Sequence, residues 1–392
     1  MATNKEQNKL NVPHLRFPEF HGEWEKCKLG DIAEFSTARI SSVKLDCKNY
    51  VSTENMLQDF QGVVEAKSVP NETNVISFTC GDILISNIRP YLKKVWKATF
   101  DGGCSSDVFV LQATDTVAKD YLHYAVANDK FINYVMSGAK GVKMPRGDKN
   151  QMRTYQLSLP SIQEQYKIAK LLTLLDERIA TQSKLIEKLE SLIKGICNNY
   201  FEKLSVQEKA YLIRLSDILK ERNEYCCKDG KFIHGTLSKD GIFPKTGRWD
   251  RDFLVKQEDK KYKVTHLDDI CYNPANLKFG VICRNTFGDL IFSPIYVTFE
   301  VCKNVNIGFI ELYLTNHNFI EKVRRFEQGT VYERMAVSPE DFLSYKIRIP
   351  SYSDQTFFYK KVQWLIKLSQ NEMKLLSQYK KLRQYLLREM FI

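Results

Sequence analysis

An internal repeat with a period of about 190 residues constrains the fold of this 392-residue chain more than any other feature of its sequence. The segment LPSIQEQ at 159–165 is matched by IPSYSDQ at 349–355. Other pieces recur in the same order at slightly smaller offsets: Leu29–Ile32 with Leu215–Ile218, Gly81–Ile83 with Asp268–Ile270, and Tyr121–Tyr124 with Phe309–Leu312. Because this period is too long for a solenoid, the sequence predicts a duplicated domain with short insertions and deletions in its loops.

The composition narrows the class of protein. Hydrophobic residues make up 43% of the chain, which is enough to build packed cores and excludes disorder for most of it. The first residues are polar, and no stretch approaches eighteen consecutive apolar residues, so we expect a cytoplasmic protein without membrane contact. The ten cysteines form no C-x-x-C pair and the six histidines form no H-E-x-x-H motif, so no metal site is predicted.

The formal net charge of +11 is spread along the chain instead of being held in one basic arm. Basic residues are nevertheless clustered locally. Arg89, Lys93, Lys94 and Lys97 fall in a stretch without an acidic residue, and the segment 140–153 has a similar excess of positive charge. Such clusters fit a polyanion-binding surface, and the alternative is an ordinary solvated face that binds nothing.

Each repeat ends in a predicted long helix. The first begins with a capping box, in which the Ser161 hydroxyl bonds the amide of Glu164 and the Glu164 carboxylate returns to the cap. Its apolar stripe, with polar Gln182 inside it, consists of Ile168, Leu172, Leu175, Ile179, Ile186, Leu189, Ile193 and Ile196. The less regular stripe of the second helix, interrupted by Glu372, consists of Leu365, Leu368, Leu375, Tyr379, Leu382 and Leu386.

Each stripe must be buried against another apolar surface. We therefore predict that the two helices form an antiparallel intramolecular pair, and an intermolecular coiled coil is the alternative. Between the helices, short β-branched and aromatic runs broken by turns indicate strands at 82–86, 95–100, 107–111, 280–283 and 294–300. An apolar helical pattern is predicted in both repeats, from Tyr121 to Val135 and from Phe309 to Phe326.

These patterns predict an α+β fold with two pseudo-repeated domains joined by two long antiparallel coiled-coil helices. The predicted segments are a first domain at 1–160, a first helix at 161–204, a second domain at 205–350 and a second helix at 351–392.

Catalytic motifs are missing from the sequence. It contains no G-x-x-x-x-G-K-[ST], no G-x-S-x-G and no G-x-G-x-x-G. The nearest approach is YNPAN at 272–276, which is similar to the Asn-Pro-Pro-aromatic loop of amino-methyltransferases. In those enzymes the aromatic ring stacks on a flipped base, but here Asn276 occupies the aromatic position and Ala275 that of the second proline. No catalytic residue is predicted.

Two loops in each repeat are better suited to contact with a nucleic acid than to catalysis. The segment Ser86–Lys94 mixes amide, guanidinium, phenol and ammonium groups, which suit adenine edges, guanine edges and phosphates, although ordinary polar loops have the same mix. Its counterpart Asn273–Lys278 differs in sequence, as expected of a duplicated frame that reads two different sequences. Further candidates follow the helical patterns at 137–146 and 327–334, where glycine lets the backbone approach a phosphate.

The ordered set of motifs resembles the specificity subunit of Type I restriction-modification enzymes. The opening of that family is similar to PHLRFPEF at 13–20, followed by GEW at 22–24 and LGD at 29–31. The similarity extends through 81–84 and the helix start at 159–165, and the two-copy layout covers nearly the whole chain. The second copy departs from the pattern, because residues 205–262 share little with residues 1–75.

The resemblance implies that each domain is a target recognition domain that grips one half of a split DNA site, with the two helices as a spacer. A helix from Ser161 to about Lys203 would span roughly 60 Å at ~1.5 Å per residue, more than one DNA turn of about 34–36 Å. The resemblance also implies two methyltransferase subunits docked on the helices, and a restriction and translocation subunit. S-adenosylmethionine, ATP and Mg²⁺ would belong to these partners, and this chain would bind no cofactor.

The residues predicted to contact double-stranded DNA are Arg39, Ser86, Asn87, Arg89, Tyr91, Lys93, Lys94, Lys140, Lys143, Arg146, Asn273, Asn276, Lys278, Arg284, Arg325, Gln328, Tyr332 and Arg334. Without its partners the chain is expected to be catalytically inert and poorly soluble, because apolar residues such as Phe201, Phe391 and Ile392 would be exposed. Two alternatives remain: a coiled-coil scaffolding protein with incidental basic loops, and an autonomous DNA methyltransferase or nuclease.

Overall fold

The computed structural model describes residues 11–227, 232–239, 241–245, 261–327 and 336–392. The chain divides into two compact units. The first unit comprises Met1–Ser183 and Lys374–Ile392, and the second comprises Lys184–Met373. Each unit therefore combines one sequence repeat with a part of each long helix.

The strands of the first unit are β1 (Glu25–Lys28), β2 (Ala33–Phe35), β3 (Arg39–Ser41), β4 (Tyr50–Val51), β5 (Asn74–Phe78), β6 (Ile83–Ser86), β7 (Val95–Lys97), β8 (Gly102–Cys104), β9 (Val108–Ala113) and β10 (Gln156–Leu159). Its helices are α1 (Leu29–Ile32), α2 (Lys119–Val126), α3 (Asp129–Ser137), α4 (Lys149–Arg153) and the first half of α5 (Ile162–Val206), with 3₁₀ turns at Ser42–Lys44 and Pro90–Leu92. Two four-stranded sheets have the orders β2-β9-β6-β7 and β3-β5-β8-β4, and β1 pairs antiparallel with β10.

The strands described in the second unit are β11 (Tyr211–Arg214), β12 (Leu219–Glu221), β13 (Tyr225–Cys226), β14 (Ile233–Ser238), β15 (Gly241–Pro244), β16 (Tyr262–Thr265), β17 (Ile270–Tyr272), β18 (Ile282–Arg284), β19 (Leu290–Phe292), β20 (Val297–Val301) and β21 (Lys346–Ile349). Its helices are α6 (Ile307–Leu314), α7 (His317–Val323), α8 (Pro339–Ser344) and most of α9 (Tyr352–Glu389), with 3₁₀ helices at Leu215–Asp217, Pro274–Phe279 and Arg324–Phe326. Its sheets have the orders β12-β20-β17-β18 and β13-β16-β19-β14-β15, and β11 pairs antiparallel with β21.

The duplication predicted from the sequence is present in the strand order. The sheet β2-β9-β6-β7 of the first unit has its counterpart in β12-β20-β17-β18, and the pair β1-β10 has its counterpart in β11-β21. The predicted α+β class is confirmed. The apolar helical patterns at 121–135 and 309–326 are each split into two helices, because Asn128 caps α3 and Asn316 caps α7 through their side-chain oxygens.

The start of each long helix is fixed by the same buried glutamine. The Gln165 side chain donates to the carbonyl of Pro160 at 3.0 Å and accepts the amide of Ala118 at 2.9 Å. The Gln355 side chain makes the matching bonds to Pro350 and Asn306, both at 2.9 Å. Each glutamine therefore joins a helix start to the globular part of its own repeat.

The predicted capping box at Ser161 is only half formed. The Ser161 hydroxyl accepts the amide of Glu164 at 3.4 Å. The buried Glu164 carboxylate does not return to the cap, because it accepts two hydrogen bonds from the Arg16 guanidinium at 2.7 and 2.8 Å. The N-terminal segment that carries Arg16 is thereby tied to α5.

Within each unit the long helices run antiparallel. In the first unit Asp176 pairs with Arg383 and Arg178 donates to Tyr379, so the contacts progress in opposite directions along α5 and α9. The predicted stripe of α5 is buried or half-buried along its length. The stripe of α9 is displaced, because Val362 and Ser369 are buried while the predicted Leu382 is 45% exposed.

The C-terminal end of α9 completes the core of the first unit. Leu386, Leu387, Met390 and Phe391 are all buried in one cluster with the α2 residues, and the Phe391 ring stacks on Tyr121 with centroids 5.3 Å apart. The expectation that Phe391 and Phe201 are exposed is wrong, since each is only 7% exposed. Their apolar surface is used within the chain, whereas Ile392 is 41% exposed as expected.

A histidine between two carboxylates gives the second unit a pH-dependent contact. His266 bonds Asp289 through Nδ1 at 2.8 Å and Glu224 through Nε2 at 3.0 Å, and these hydrogen bonds raise its pKa above the ordinary value of about 6.5. The charged imidazolium therefore contributes stability that is fully present below about pH 6.5 and is lost as pH rises through the higher pKa of the folded state.

We expect the stability difference between the natural protein and His266→Asn to shrink as pH rises from about 6.5 through the raised pKa of the folded state, where the imidazolium loses its proton. Thermal unfolding across this pH range, with hydrogen exchange at β16 and β19 to assign the transition to the second unit, measures that difference. A difference that stays constant over the whole range contradicts the assigned role of His266.

Candidate nucleic-acid interface

The loop between β6 and β7 is held in a sharply bent conformation. Its 3₁₀ turn, Pro90–Leu92, lies between two left-handed residues, Arg89 with φ 51° and Lys93 with φ 54°. Non-glycine residues rarely adopt this conformation, so the surrounding contacts must impose it. The bend leaves Arg89 exposed and Tyr91 48% exposed.

Two further residues with a left-handed backbone conformation donate hydrogen bonds to this loop. The amides of Asp59 (φ 53°) and Phe60 (φ 61°) donate to the carbonyls of Leu92 and Lys93 at 3.1 and 2.9 Å. The Lys94 ammonium donates to the Thr53 carbonyl at 2.6 Å. The loop is therefore preorganised by backbone contacts with residues 53–60.

A short hairpin forms the second predicted contact loop. Lys140 and Arg146 exchange backbone hydrogen bonds of 3.0 and 2.9 Å, and Gly141 supplies the positive φ of 94° that the turn needs. Val142 is fully exposed at the tip and Lys143 is exposed beside it. The hairpin thus presents cations around an apolar tip.

The structure joins these two loops into one surface. Ile88 forms a β-bridge with Arg146. The amide of Arg89 donates to Pro145 at 2.8 Å, and the amide of Gly147 donates to Asn87 at 3.0 Å. The sequence indicated two separate candidates, and it carried no signal that they meet, because the bridging bonds are made by the backbone.

The cations of this surface differ in how they are held. Lys93 pairs with Asp129 at 2.7 Å, Lys140 with Asp148 at 3.3 Å, and Arg146 with Asp107 at 3.3 Å.

Lys94 is partly buried, and this burial, followed by the nearby Arg89, lowers its pKa. Lys93 and Lys94 consequently hold the loop, while the exposed Arg89 and Lys143 have no ion pair within the described part of the chain. The charge most available to a ligand therefore lies at the hairpin and at Arg89.

Two polar residues at the base of the first loop have different surroundings. Ser86 is 2% exposed, and its hydroxyl donates to the Ile88 carbonyl at 3.0 Å. It therefore shapes the loop instead of presenting its hydroxyl to a ligand. Asn87 is half-buried, and its side-chain oxygen is a buried acceptor without a hydrogen-bond partner among the described residues. Because this oxygen is buried, it is not presented to a ligand in this conformation.

The corresponding loop of the second unit is built in the same way. The 3₁₀ helix Pro274–Phe279 ends at Gly280, whose φ of 76° repeats the left-handed conformation of Lys93. Its base is joined to the segment after α7, since the Tyr272 hydroxyl donates to the Val337 carbonyl at 3.1 Å and the Val337 amide donates to Pro274 at 3.4 Å. In the second repeat the loop at 273–281 is thus joined to Val337, and the predicted loop at 327–334 lies almost wholly outside the described residues.

The predicted contact residues of the second repeat fall into three groups. Lys278 and Arg325 are exposed and Asn276 is half-buried. Asn273 is 5% exposed and caps the 3₁₀ helix by accepting the Ala275 amide at 3.1 Å, so it supports the loop. Gln328, Tyr332 and Arg334 lie outside the described residues.

Arg284 is occupied by acidic neighbours. Its Nε lies 3.5 Å from both Asp268 and Glu311. Burial raises the pKa of Glu311, and the charge of Arg284 opposes that rise. The guanidinium therefore stabilises the charged form of the half-buried Glu311 within the second unit.

Arg39 lies on the other sheet of the first unit. It is exposed on β3, and its guanidinium donates to the Asn74 carbonyl at 3.3 Å. Among the described residues no hydrogen bond links it to the paired loops. Sequence reasoning missed the apolar residues of the hairpin, Val142 and the 47% exposed Met144, although the glycine and proline that flank them are typical of a turn.

The described residues show neither of two other kinds of site. In the ranges that the structure covers, no group of three or more His, Cys, Asp or Glu side chains is placed to hold a metal ion. The helices of the described part include none that is long and apolar enough to cross a membrane.

A duplicated α+β fold with paired long helices and, in the first repeat, two joined basic loops defines the class: a two-repeat protein with a candidate polyanion-binding surface. Residues 21–191 match the family described as the Type I restriction modification DNA specificity domain. The first repeat therefore contains a domain of that family, and the resemblance to Type I specificity subunits found in the sequence is confirmed.

Curated relatives agree with this assignment. The chain is 26% identical over 225 residues to the Type I restriction enzyme MjaVIII specificity subunit of Methanocaldococcus jannaschii, covering 54% of this chain and 49% of that protein. It is 24% identical over 212 residues to the Type I restriction enzyme EcoDI specificity subunit of Escherichia coli, covering 53% of this chain and 46% of that protein. The matches thus span about half the length of these relatives.

The fold is similar to that of a solved structure described as the S subunit of a Type I restriction-modification system from M. genitalium. The two structures superpose with a TM-score of 0.62 at 16% sequence identity, over 97% of this chain and 99% of the other. A second structure, from work on complex assembly of the type I R-M system, gives a TM-score of 0.55 at 15% identity, over 93% and 96%. At such low identity the likeness establishes the fold.

Proposed function

We propose that this chain is the DNA-recognition subunit of a Type I restriction-modification complex and that each repeat reads one half of a bipartite site. The observation that carries the proposal is the joined basic loop pair of the first repeat, through Ile88 and Arg146, on a strand frame that recurs in the second repeat with a different loop at 273–281. Because the loops differ in sequence on equivalent supports, the two repeats present different side chains to DNA.

The chemistry of the first loop pair suits DNA. Arg89 and Lys143 offer positive charge without an ion pair among the described residues, and base contact by the half-buried Asn87 stays a prediction of this proposal. Cations provide affinity for any duplex, whereas the amide and guanidinium groups distinguish bases. DNA contact by the exposed residues Arg39, Tyr91, Lys140, Arg146, Lys278 and Arg325 stays a prediction that belongs to this proposal.

We further propose that the long helices set the spacing of the half-sites and dock two methyltransferase subunits. The 45 residues of α5 correspond to a helix of roughly 65 Å at ~1.5 Å per residue. Apolar side chains remain on the outer faces of these helices: Leu192 of α5 is 50% exposed, and Phe357 and Trp364 of α9 are 61% and 65% exposed. Exposed apolar side chains at helical spacing suit a helical partner.

Catalysis is assigned to the partners in this proposal. The methyltransferase subunits would use S-adenosylmethionine, and the restriction and translocation subunits would use ATP and Mg²⁺. This chain would provide sequence recognition without a catalytic residue of its own.

The test is to co-express the chain with candidate methyltransferase subunits in a methylation-free bacterial host and to map modified bases by single-molecule sequencing. We expect two short specific blocks separated by a fixed run of arbitrary bases. Methyl transfer by the purified chain alone would contradict the proposal in favour of an autonomous enzyme. Absence of both methylation and copurification would favour a scaffolding protein.

One substitution separates general affinity from sequence preference. We expect Lys143→Ala to weaken binding to all duplexes and to reduce the slope of log K against log salt by about 1, because one phosphate contact is lost. Filter binding of the methyltransferase complex at several salt concentrations measures the slope, and Lys26→Ala on β1 is the matched exposed control. An altered methylated sequence, or an unchanged slope, contradicts this role of Lys143.

A further inference from the structure

Each repeat exposes one aromatic ring in the same loop. Tyr91 lies between β6 and β7 and is 48% exposed, while Phe279 lies between β17 and β18 and is 65% exposed. The two loops start and end at equivalent strand pairs, Ile85 with Val95 and Tyr272 with Ile282. The rings occupy neighbouring positions in loops of equal length.

The burial of adjacent residues directs these rings outward. Pro90 before Tyr91 is buried and Leu92 after it is half-buried, so the ring between them faces solvent. In the second repeat Leu277 is fully buried while Phe279 ends the helix. A ring on a fixed backbone loses little conformational entropy on binding, since only two side-chain torsions remain free.

The surroundings of the rings are cationic. Arg89 precedes the turn that carries Tyr91, and the Lys278 ammonium lies 5.2 Å from the centroid of the Phe279 ring. A single exposed aromatic residue on a protein surface needs no explanation. Here the exposure recurs in two loops whose sequences have otherwise diverged, beside the cations assigned to DNA. Positive charge around a protruding apolar group matches a side chain that enters a base stack, where the cations meet the flanking phosphates.

We propose that Tyr91 and Phe279 are wedges, each of which stacks against a base step in the half-site read by its own repeat. This inference rests on the proposed function and adds a mechanism of indirect recognition. A wedge unstacks one step and bends the duplex, so flexible pyrimidine–purine steps are favoured without a hydrogen bond to the bases.

The test uses the complex of the full chain with its methyltransferase subunits and duplexes of the mapped target. A single 2-aminopurine is placed in turn at each step of both half-sites, and its fluorescence is read on binding. We expect an increase at one step in each half-site. Tyr91→Ala should abolish the increase in one half-site and Phe279→Ala in the other, each with about a 10-fold loss of affinity and an unchanged salt slope.

The controls separate stacking from charge and from folding. Phe279→Trp should keep the fluorescence increase. Lys278→Ala should keep the fluorescence increase but change the salt slope. Phe287→Ala, at a 51% exposed ring of the same unit, should change neither the fluorescence increase nor the salt slope. If specific binding persists and Phe279→Ala leaves the fluorescence and affinity unchanged, the wedge is refuted and the proposed function stands. Loss of methyltransferase copurification in Phe279→Ala would instead make this ring a protein contact and refute the wedge. Absence of specific binding by the unsubstituted complex refutes the proposed function itself.

Discussion

Replacing Phe391 with alanine is expected to destabilise the first unit by about 3–5 kcal/mol. The Phe391 ring is 7% exposed and stacks on the fully buried Tyr121. Its backbone carbonyl also accepts a hydrogen bond from the Lys130 ammonium at 2.9 Å. Truncation to alanine would leave a cavity in a core that α2 and the end of α9 share.

Hydrogen exchange of the full chain measures this effect by unit. We expect faster exchange in α2 and β1 with little change in β17 and β20, because local stability follows the core to which each element contributes. Ile392→Ala is the matched control, since Ile392 is the neighbouring residue and is 41% exposed. Equal loss of protection in both units, or a loss in the control, would contradict the role assigned to Phe391.

Glu164→Ala is expected to cost the first unit about 3 kcal/mol, because it removes one partner of a buried ion pair. The Glu164 side chain is 1% exposed, and it receives both hydrogen bonds from Arg16, whose side chain is 16% exposed. This free-energy cost is at the lower end of the range for buried ion pairs, because the Arg16 guanidinium that remains can be partly hydrated.

The duplication supplies the control for this prediction. Asp354 occupies the equivalent position at the start of α9, where it is exposed and bonds Ser351. Asp354→Ala should cost about 1 kcal/mol or less, because it removes only an exposed hydrogen bond from the Ser351 hydroxyl and leaves the Asp354 amide bonded to Ser351. Chemical denaturation read by fluorescence and by hydrogen exchange at 162–172 compares the two variants, and equal costs would show that the Arg16 pair adds nothing beyond capping.

The starts of the two long helices show which features a local sequence pattern can predict. Ser161 was predicted as a cap, because capping depends on residues within one turn of helix. The partner of Glu164 could not be predicted, because Arg16 lies 148 residues away and no periodic pattern connects the two residues. The same limit applies to the split of the helical pattern at Asn128, where a cap competes with continuation of the helix.

The contact loops also combine features that the sequence predicts with features that only the tertiary structure shows. Their positions, their charge and their equivalence between the repeats were predictable, since turn residues and basic clusters are visible in the sequence. The sequence did not predict which side chains of these loops face solvent. Ser86 and Asn273 were predicted to contact DNA and are buried, because the adjacent strands carry them into the core.

The sequence by itself determined the duplication, the α+β class, the two long helices and the buried stripe of α5, because these follow from repeated motifs and from the periodicity of apolar residues. Only the tertiary structure decided that the hairpin at Lys140–Arg146 joins the loop at Ile88, and that the C-terminal Phe391 completes the core around Tyr121. Both are contacts between segments far apart in the chain, made through backbone pairing or shape complementarity, and neither mechanism leaves a periodic signal in the order of residues.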